Sequence, residues 1–335
     1  MKNITAFAVL VIMILCARPA FTQEEQAASE EAASYAFSTW TKFGVLLGQA
    51  EEIVYPSSPY KAELLSQLLW DIKPVFYYGL TLDFSRARPM TQWGFFANLS
   101  LKNGIPAESG KMEDRDWMSQ ENKALTHYSS HDNFTGELFI LDFSAGVSFP
   151  LRRILLLKPY LSLSYMRFTF SGQYGYAKYA RETGGANSGI YASIDDRPDR
   201  YSFADKEKII NYTQNWFIVS PGIALGYYFN NRFYAELFFQ ISPLIFCNDL
   251  DEHLMTYTQY RDYMRGGLFL EPGFHVSYSV NKRLELSLDF SWRYTGGTRG
   301  ETYASPLFTQ NYIEQGEAGA GLSMIDTGLC LKIRL

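Results

Sequence analysis

The feature that most constrains this chain is an alternation of apolar and polar residues that recurs with period two from Tyr35 onward. In "RLELSLDFSW" (283–292), Leu284, Leu286, Leu288, Phe290 and Trp292 fall on one face, and Glu285, Ser287, Asp289 and Ser291 on the other. "FILDFSAGVSF" (139–149) repeats it, with Phe139, Leu141, Phe143, Ala145, Val147 and Phe149 set against Ile140, Asp142, Ser144, Gly146 and Ser148. Period two belongs to a β-strand whose faces meet different surroundings. In a soluble sheet the apolar face needs a second layer to cover it. Almost every segment here alternates, and no amphipathic helix is available as cover. A sheet closed on itself, with lipid outside and a polar interior, needs none. A large secreted sandwich or soluble barrel is the alternative.

Composition narrows the choice. Aromatic residues make up 16% of the chain, with 24 Tyr and 25 Phe, yet mean hydropathy is only −0.15. A helical membrane protein needs ~20 consecutive apolar residues per span, and one segment alone approaches that. "MKNITAFAVLVIMILCARPAFTQ" (1–23) has Lys2, an apolar run from Ala6 to Cys16, then small and polar residues. It reads as a secretory signal peptide over residues 1–22, followed by an acidic, Ala-rich leader (23–34) and a barrel domain (35–335). A net charge of −5 offers no basic surface for nucleic acid. Once Cys16 leaves with the signal, Cys247 and Cys330 remain, both in predicted strands and expected to be unbridged.

Connection lengths give the rest of the architecture. Very short connections fall near 85–90, 150–154, 230–232 and 280–283, and long polar stretches at 56–62, 103–135, 175–207, 249–262 and 294–316. Short turns at one rim and long loops at the other describe an outer-membrane barrel. Ten antiparallel strands are predicted, near 36–55, 63–84, 91–102, 136–149, 156–174, 208–229, 232–248, 263–280, 283–294 and 317–335. The expected fold is therefore an all-β, ten-stranded transmembrane β-barrel of the outer-membrane type with long extracellular loops.

That arrangement collects the acidic residues at one rim. Asp114 and Asp116 form an Asp-x-Asp, and Asp251 and His253 have the same i, i+2 spacing. In an extended segment such pairs point the same way. Neighbouring carboxylates repel, so one tends to keep a proton or share it through water. An aspartate beside a histidine orients the ring and raises its basicity. Set across a cleft, the two pairs can hold a water and take its proton, a general-base arrangement for hydrolysis. Solvated turns also explain an isolated Asp-x-Asp. The spacing lacks the Gly and closing Glu of a calcium loop. A zinc site would draw on His127, His131 and His253, and a serine nucleophile on Ser129 or Ser130 beside His131 without nucleophile-elbow glycines. No metal is expected.

Several blocks resemble the omptins, outer-membrane aspartyl-type endopeptidases of Gram-negative bacteria. "GVLLGQAEEIVY" (44–55) resembles their first strand, "SQLLWDI" (66–72) a Ser-Gln-Leu-x-Trp segment, "MEDRDWM" (112–118) the Asp-x-Asp-Trp-Met signature, "SSHDN" (129–133) a Ser-x-His segment, "NDLDEH" (248–253) the Asp-x-Asp-Glu-His signature, and "TYTQYR" (256–261) the piece after it. The resemblance implies an endopeptidase that cuts peptides or proteins beside basic residues at the extracellular barrel mouth, without a cofactor. It implies that Asp114 and Asp116 hold the attacking water, that Asp251 and His253 are the dyad with His253 as general base, and that Glu52 and Asp249 line the pocket for a basic side chain. Ser129 and His131 match supporting positions. Arg167 and Arg265 resemble basic residues of the family's lipopolysaccharide patch, so an outer-membrane lipid is an expected partner. Leu163, Tyr165 and Asn215 depart from that patch, where the family has a tyrosine, an acid and an arginine, which leaves the lipid's identity open. The rival reading of the whole chain is a non-catalytic outer-membrane barrel, an adhesin or a porin.

Overall fold

The computed structural model describes residues 35–86, 93–152, 154–185, 188–196 and 198–334. The expected signal peptide and leader, and most of the connection near 85–90, lie outside the described residues. Fourteen strand segments follow in order: β1 (Tyr35–Tyr55), β2 (Ser66–Arg86), β3 (Gly94–Gly104), β4 (Ala107–Asp116), β5 (His127–Arg152), β6 (Leu155–Tyr179), β7 (Asp199–Tyr228), β8 (Phe233–Ser242), β9 (Leu244–His253), β10 (Thr258–Arg265), β11 (Leu268–Ser279), β12 (Leu284–Gly296), β13 (Arg299–Pro306) and β14 (Ile313–Arg334).

These segments build a ring of ten. The lower ring runs β1-β2-β3-β5-β6-β7-β8-β11-β12-β14, and antiparallel pairing of β14 with β1 closes it. Above it β4 replaces β3 between β2 and β5, while β9, β10 and β13 replace β8, β11 and β12 between β7 and β14. Four strands are thus interrupted by one or two residues and continue upward. At one break, Gly266 and Gly267 have φ of +75° and +89°, a conformation that glycine adopts without strain.

The alternation has the sign expected for a barrel in lipid. Leu286, Leu288 and Trp292 are exposed on the outer face of β12, while Glu285, Ser287 and Ser291 are buried in the interior. Phe43, Phe76, Phe143, Leu161, Phe217, Phe246 and Leu329 extend the exposed apolar band around the ring. Two lower turns are closed by asparagines. Asn230 Oδ1 accepts from the amides of Arg232 and Phe233, and Asn281 Oδ1 from those of Arg283 and Leu284. Such side-chain bonds stand in for a backbone turn.

Side chains from opposite walls meet inside. At the level of the apolar band, Arg293 on β12 bonds Glu271 (Nε to Oε1, 2.9 Å) and reaches across to Asp142 on β5 (Nη2 to Oδ2, 2.7 Å). Lys42 and Lys102 both pair with the buried Asp326, which also accepts from Tyr77. Higher up, Leu46, Trp70, Ile72, Ile140, Met166, Phe168, Phe170, Tyr212 and Trp216 form an apolar plug. A small barrel has room for little more than its own side chains.

Four of the five expected loops are shorter than predicted, while the first, 56–62, lengthens to 56–65. The stretches 103–135, 175–207, 249–262 and 294–316 shrink to 117–126, 180–198, 254–257 and 307–312, because strands run through their flanks. Above the lipid the outer face meets water. The apolar–polar contrast that marks a strand therefore disappears, while the hydrogen-bonded ladder continues.

Candidate active site

The site sits on these upward extensions. His253 stands seven residues above Phe246, an apolar residue exposed on the outer band, or about 23 Å at the rise of a strand. Glu52 stands five residues above Leu47, about 17 Å by the same measure.

Asp114 and Asp116 share the inner face of β4, as their spacing requires. They lie on a strand rather than in the predicted loop, held between β2 and β5 with Asp114 opposite Leu68 and Ser129, and Asp116 opposite Ser66 and His127. Ser66 Oγ is 3.5 Å from Asp114 Oδ1. Burial, then the charge of Asp116, raises the Asp114 carboxyl well above the usual range. Burial brings Asp116 up to about 6. The couple therefore holds protons more tightly than ordinary carboxyls.

Across the mouth, β9 carries Asp249, Asp251 and His253 on its inner face. His253 Nε2 lies 2.6 Å from Asp251 Oδ2. Burial disfavours the imidazolium, but the charges of Asp251, Asp114 and Asp116 outweigh it and raise His253 to about 9. The two signature pairs, 135 residues apart between Asp116 and Asp251, thus act on one another electrostatically. Tyr260 on β10 packs edge-on against the imidazole, with ring centroids 5.3 Å apart. Glu252 points the other way and accepts from Asn211.

One in-facing rung below the dyad is a second group of acids. Glu52 and Asp249 are buried, and Glu52 is raised by burial and then by Asp251, Asp249 and Asp262. Tyr212 donates to Asp249 Oδ2 at 2.8 Å. Asp262 lies opposite Asp249 in the β9–β10 ladder. Burial raises Asp249 well above the usual range, with Asp262 adding to it, and brings Asp262 up to about 7. Asp262 was not among the residues expected from the sequence. A hairpin closed at 254–257 sets residue 262 opposite 249, so the signal appears once the turn is located.

An aromatic stack carries this floor. Trp70 packs on both Phe170 (5.6 Å) and Tyr212 (5.4 Å), which also contact each other at 6.4 Å, joining β2, β6 and β7. Gln214 links Tyr212 to the Trp216 indole, and its amide reaches the Glu51 carbonyl across the barrel at 3.1 Å. Glu52 is thereby fixed above the stack.

Ser129 and His131 line the wall behind Asp114. His131 Nδ1 bonds the Tyr174 carbonyl, and Nε2 is 2.9 Å from Ser129 Oγ. Burial lowers the pKa of His131, which keeps it neutral. Ser129 is buried on the strand with its hydroxyl against the imidazole. His127 bonds Thr126 and packs on Tyr179 and Tyr191, apart from His131 and His253. Among the described residues, no group of three or more His, Cys, Asp or Glu has metal-holding geometry. Cys247 and Cys330 are free, buried thiols.

On the outer face, Arg167 bonds Glu137 (2.8 Å) and Asn215 (3.0 Å), and Tyr165 also donates to Asn215. Arg265 is exposed on the same face, three strands away through β7, β9 and β10.

Comparison with known proteins agrees with this fold. The Omptin family matches residues 33–334. The plasminogen activator of Yersinia pestis is 24% identical over 296 residues, covering 86% of this chain and 85% of that protein. Outer membrane protease OmpP of Escherichia coli K12 is 22% identical over 315 residues, covering 93% and 94%. The crystal structure of outer membrane protease OmpT from Escherichia coli superposes with a TM-score of 0.76 at 19% identity, covering 92% of this chain and all of that one, and shows the shared fold.

Proposed function

This chain belongs to the omptin family and is an outer-membrane protease of the Gram-negative type, and on that premise we propose that it is an aspartyl-type endopeptidase cutting beside basic residues. The observation that carries the reading is the electrostatic reach of Asp114 and Asp116 to the Asp251–His253 pair across one mouth. A water held by the β4 carboxylates faces the imidazole. Asp251 holds Nε2, which leaves Nδ1 to take the water's proton as its oxygen adds to the scissile carbonyl. The proton then passes to the departing amine as the C–N bond breaks, and the two β4 carboxylates orient both steps.

The resting charge state links chemistry to specificity. With His253 raised to about 9, the ring carries a proton at neutral pH and is not yet a base. A cationic side chain seated against Glu52 and Asp249 offsets the field that stabilises the imidazolium. Substrate binding then frees the base. We also read Arg167 and Arg265 as contacts for an outer-membrane lipid, with the active site turned to the cell exterior.

The deciding experiment incubates the refolded barrel, in detergent and in lipid, with a quenched peptide containing Arg-Arg. The wild type is expected to cleave it and His253→Ala to lose the activity. Absence of cleavage in every lipid tried, or full activity in His253→Ala, would overturn the reading.

A further inference from the structure

Glu52, Asp249 and Asp262 leave four buried carboxylate oxygens without any hydrogen-bond partner: Glu52 Oε2, Asp249 Oδ1, and both Oδ1 and Oδ2 of Asp262. Asp262 is only 1% exposed. Thr302 and Asp249 are its partners in the ladder. Buried acceptors left unpaired are costly, and each needs a donor or a proton. The described acids have no metal-holding geometry, so a single small ion does not answer the need. A broader organic cation does.

Donor arithmetic then separates the two basic side chains. A lysine ammonium offers three N–H donors from one compact centre, and an arginine guanidinium five in a planar fork. Four unpaired oxygens exceed what an ammonium can satisfy and fall within what a guanidinium can. We propose that Asp262 is a specificity-determining residue, the third carboxylate of a cage with Glu52 and Asp249 that selects a guanidinium over an ammonium. This rests on the reading of Glu52 and Asp249 as the pocket for a basic side chain. Asp262 is one in-facing rung below the dyad, about 7 Å along the strand, so it holds the substrate and does not touch the reacting atoms.

The test is calorimetric binding of N-acetyl-argininamide and N-acetyl-lysinamide to the refolded full barrel, wild type and Asp262→Asn, with Arg-Arg peptide cleavage measured alongside. The wild type is expected to bind the arginine ligand about tenfold more tightly, the scale of one charge-assisted hydrogen bond. Asp262→Asn is nearly isosteric and removes a charge from a crowded acidic group, so folding is expected to persist. Its lysine affinity should stay within about twofold while the arginine advantage vanishes. Equal affinities in the wild type, no binding of either ligand, or an unchanged ratio in Asp262→Asn would overturn the cage. Selective binding without peptide cleavage would instead sink the endopeptidase reading and leave the cage standing.

Discussion

His253 Nε2 lies 2.6 Å from Asp251 Oδ2, and the carboxylate that holds it is 2% exposed. This contact, with the β4 carboxylates, sets the pH behaviour. kcat/KM reports the free enzyme, whose base appears only as pH rises towards about 9. It should therefore climb with pH up to that value. kcat reports the complex, in which the cation of the proposed substrate would offset the acids, so its acidic limb should lie at lower pH. Coincident limbs, or a kcat/KM limb near the ordinary histidine value, would refute substrate-assisted activation. Stability runs the opposite way: His253 stabilises the fold fully below its usual 6.5, and that contribution is lost as pH rises through about 9.

Asp114 and Asp116 share one face and, in the proposed mechanism, would share one water, so they should act as a unit. Asp114→Asn and Asp116→Asn are each expected to lower kcat by about 10²-fold or more with KM changed only a few-fold. The double variant should lose little beyond the worse single. Steady-state kinetics on an Arg-Arg peptide measures this, and multiplicative losses would show independent roles.

Trp70, packed on both Phe170 and Tyr212, should be the costliest truncation under the site. Trp70→Ala is expected to remove about 3–5 kcal/mol. Urea titration of the barrel in detergent gives the number. A loss below 1 kcal/mol would mean that the stack contributes little to holding the floor.

Arg293, buried between Asp142 and Glu271, ties opposite walls together. Arg293→Met leaves two interior carboxylates without their shared cation and should cost about 3–5 kcal/mol in the same titration. Replacing all three by apolar residues should recover most of that loss. With the lumen crossed at this level, the wild type should carry no steady ion current in a planar bilayer. Stable conductance would revive the porin.

Much of the fold was legible because lipid enforces it. Leu284 to Trp292 had to alternate, since one face of β12 meets hydrocarbon and the other a charged interior. The same contrast, divided by short turns and long polar stretches, gave the strand count. The four interrupted strands were legible only in their lower halves, for Asp114, Asp251 and Asp262 all lie where both faces are polar and periodicity carries no sign. Asp114, Asp116, Asp251 and His253 could still be singled out, because an i, i+2 pair declares a shared face in any extended segment.

Sequence alone therefore determined an alternating, inside-out barrel and two pairs of polar residues that each face one way. Their convergence was decided by the tertiary structure. Glu52 on β1, Asp114 on β4 and Asp249 on β9 are distant in the chain, and ring closure with its ladder registers brings them to one mouth. Asp262 belongs to no motif and becomes part of the site because the β9–β10 hairpin sets it opposite Asp249. Periodicity reports what each residue's own neighbours require, whereas a buried cluster of charges depends on which strands the closed sheet places face to face.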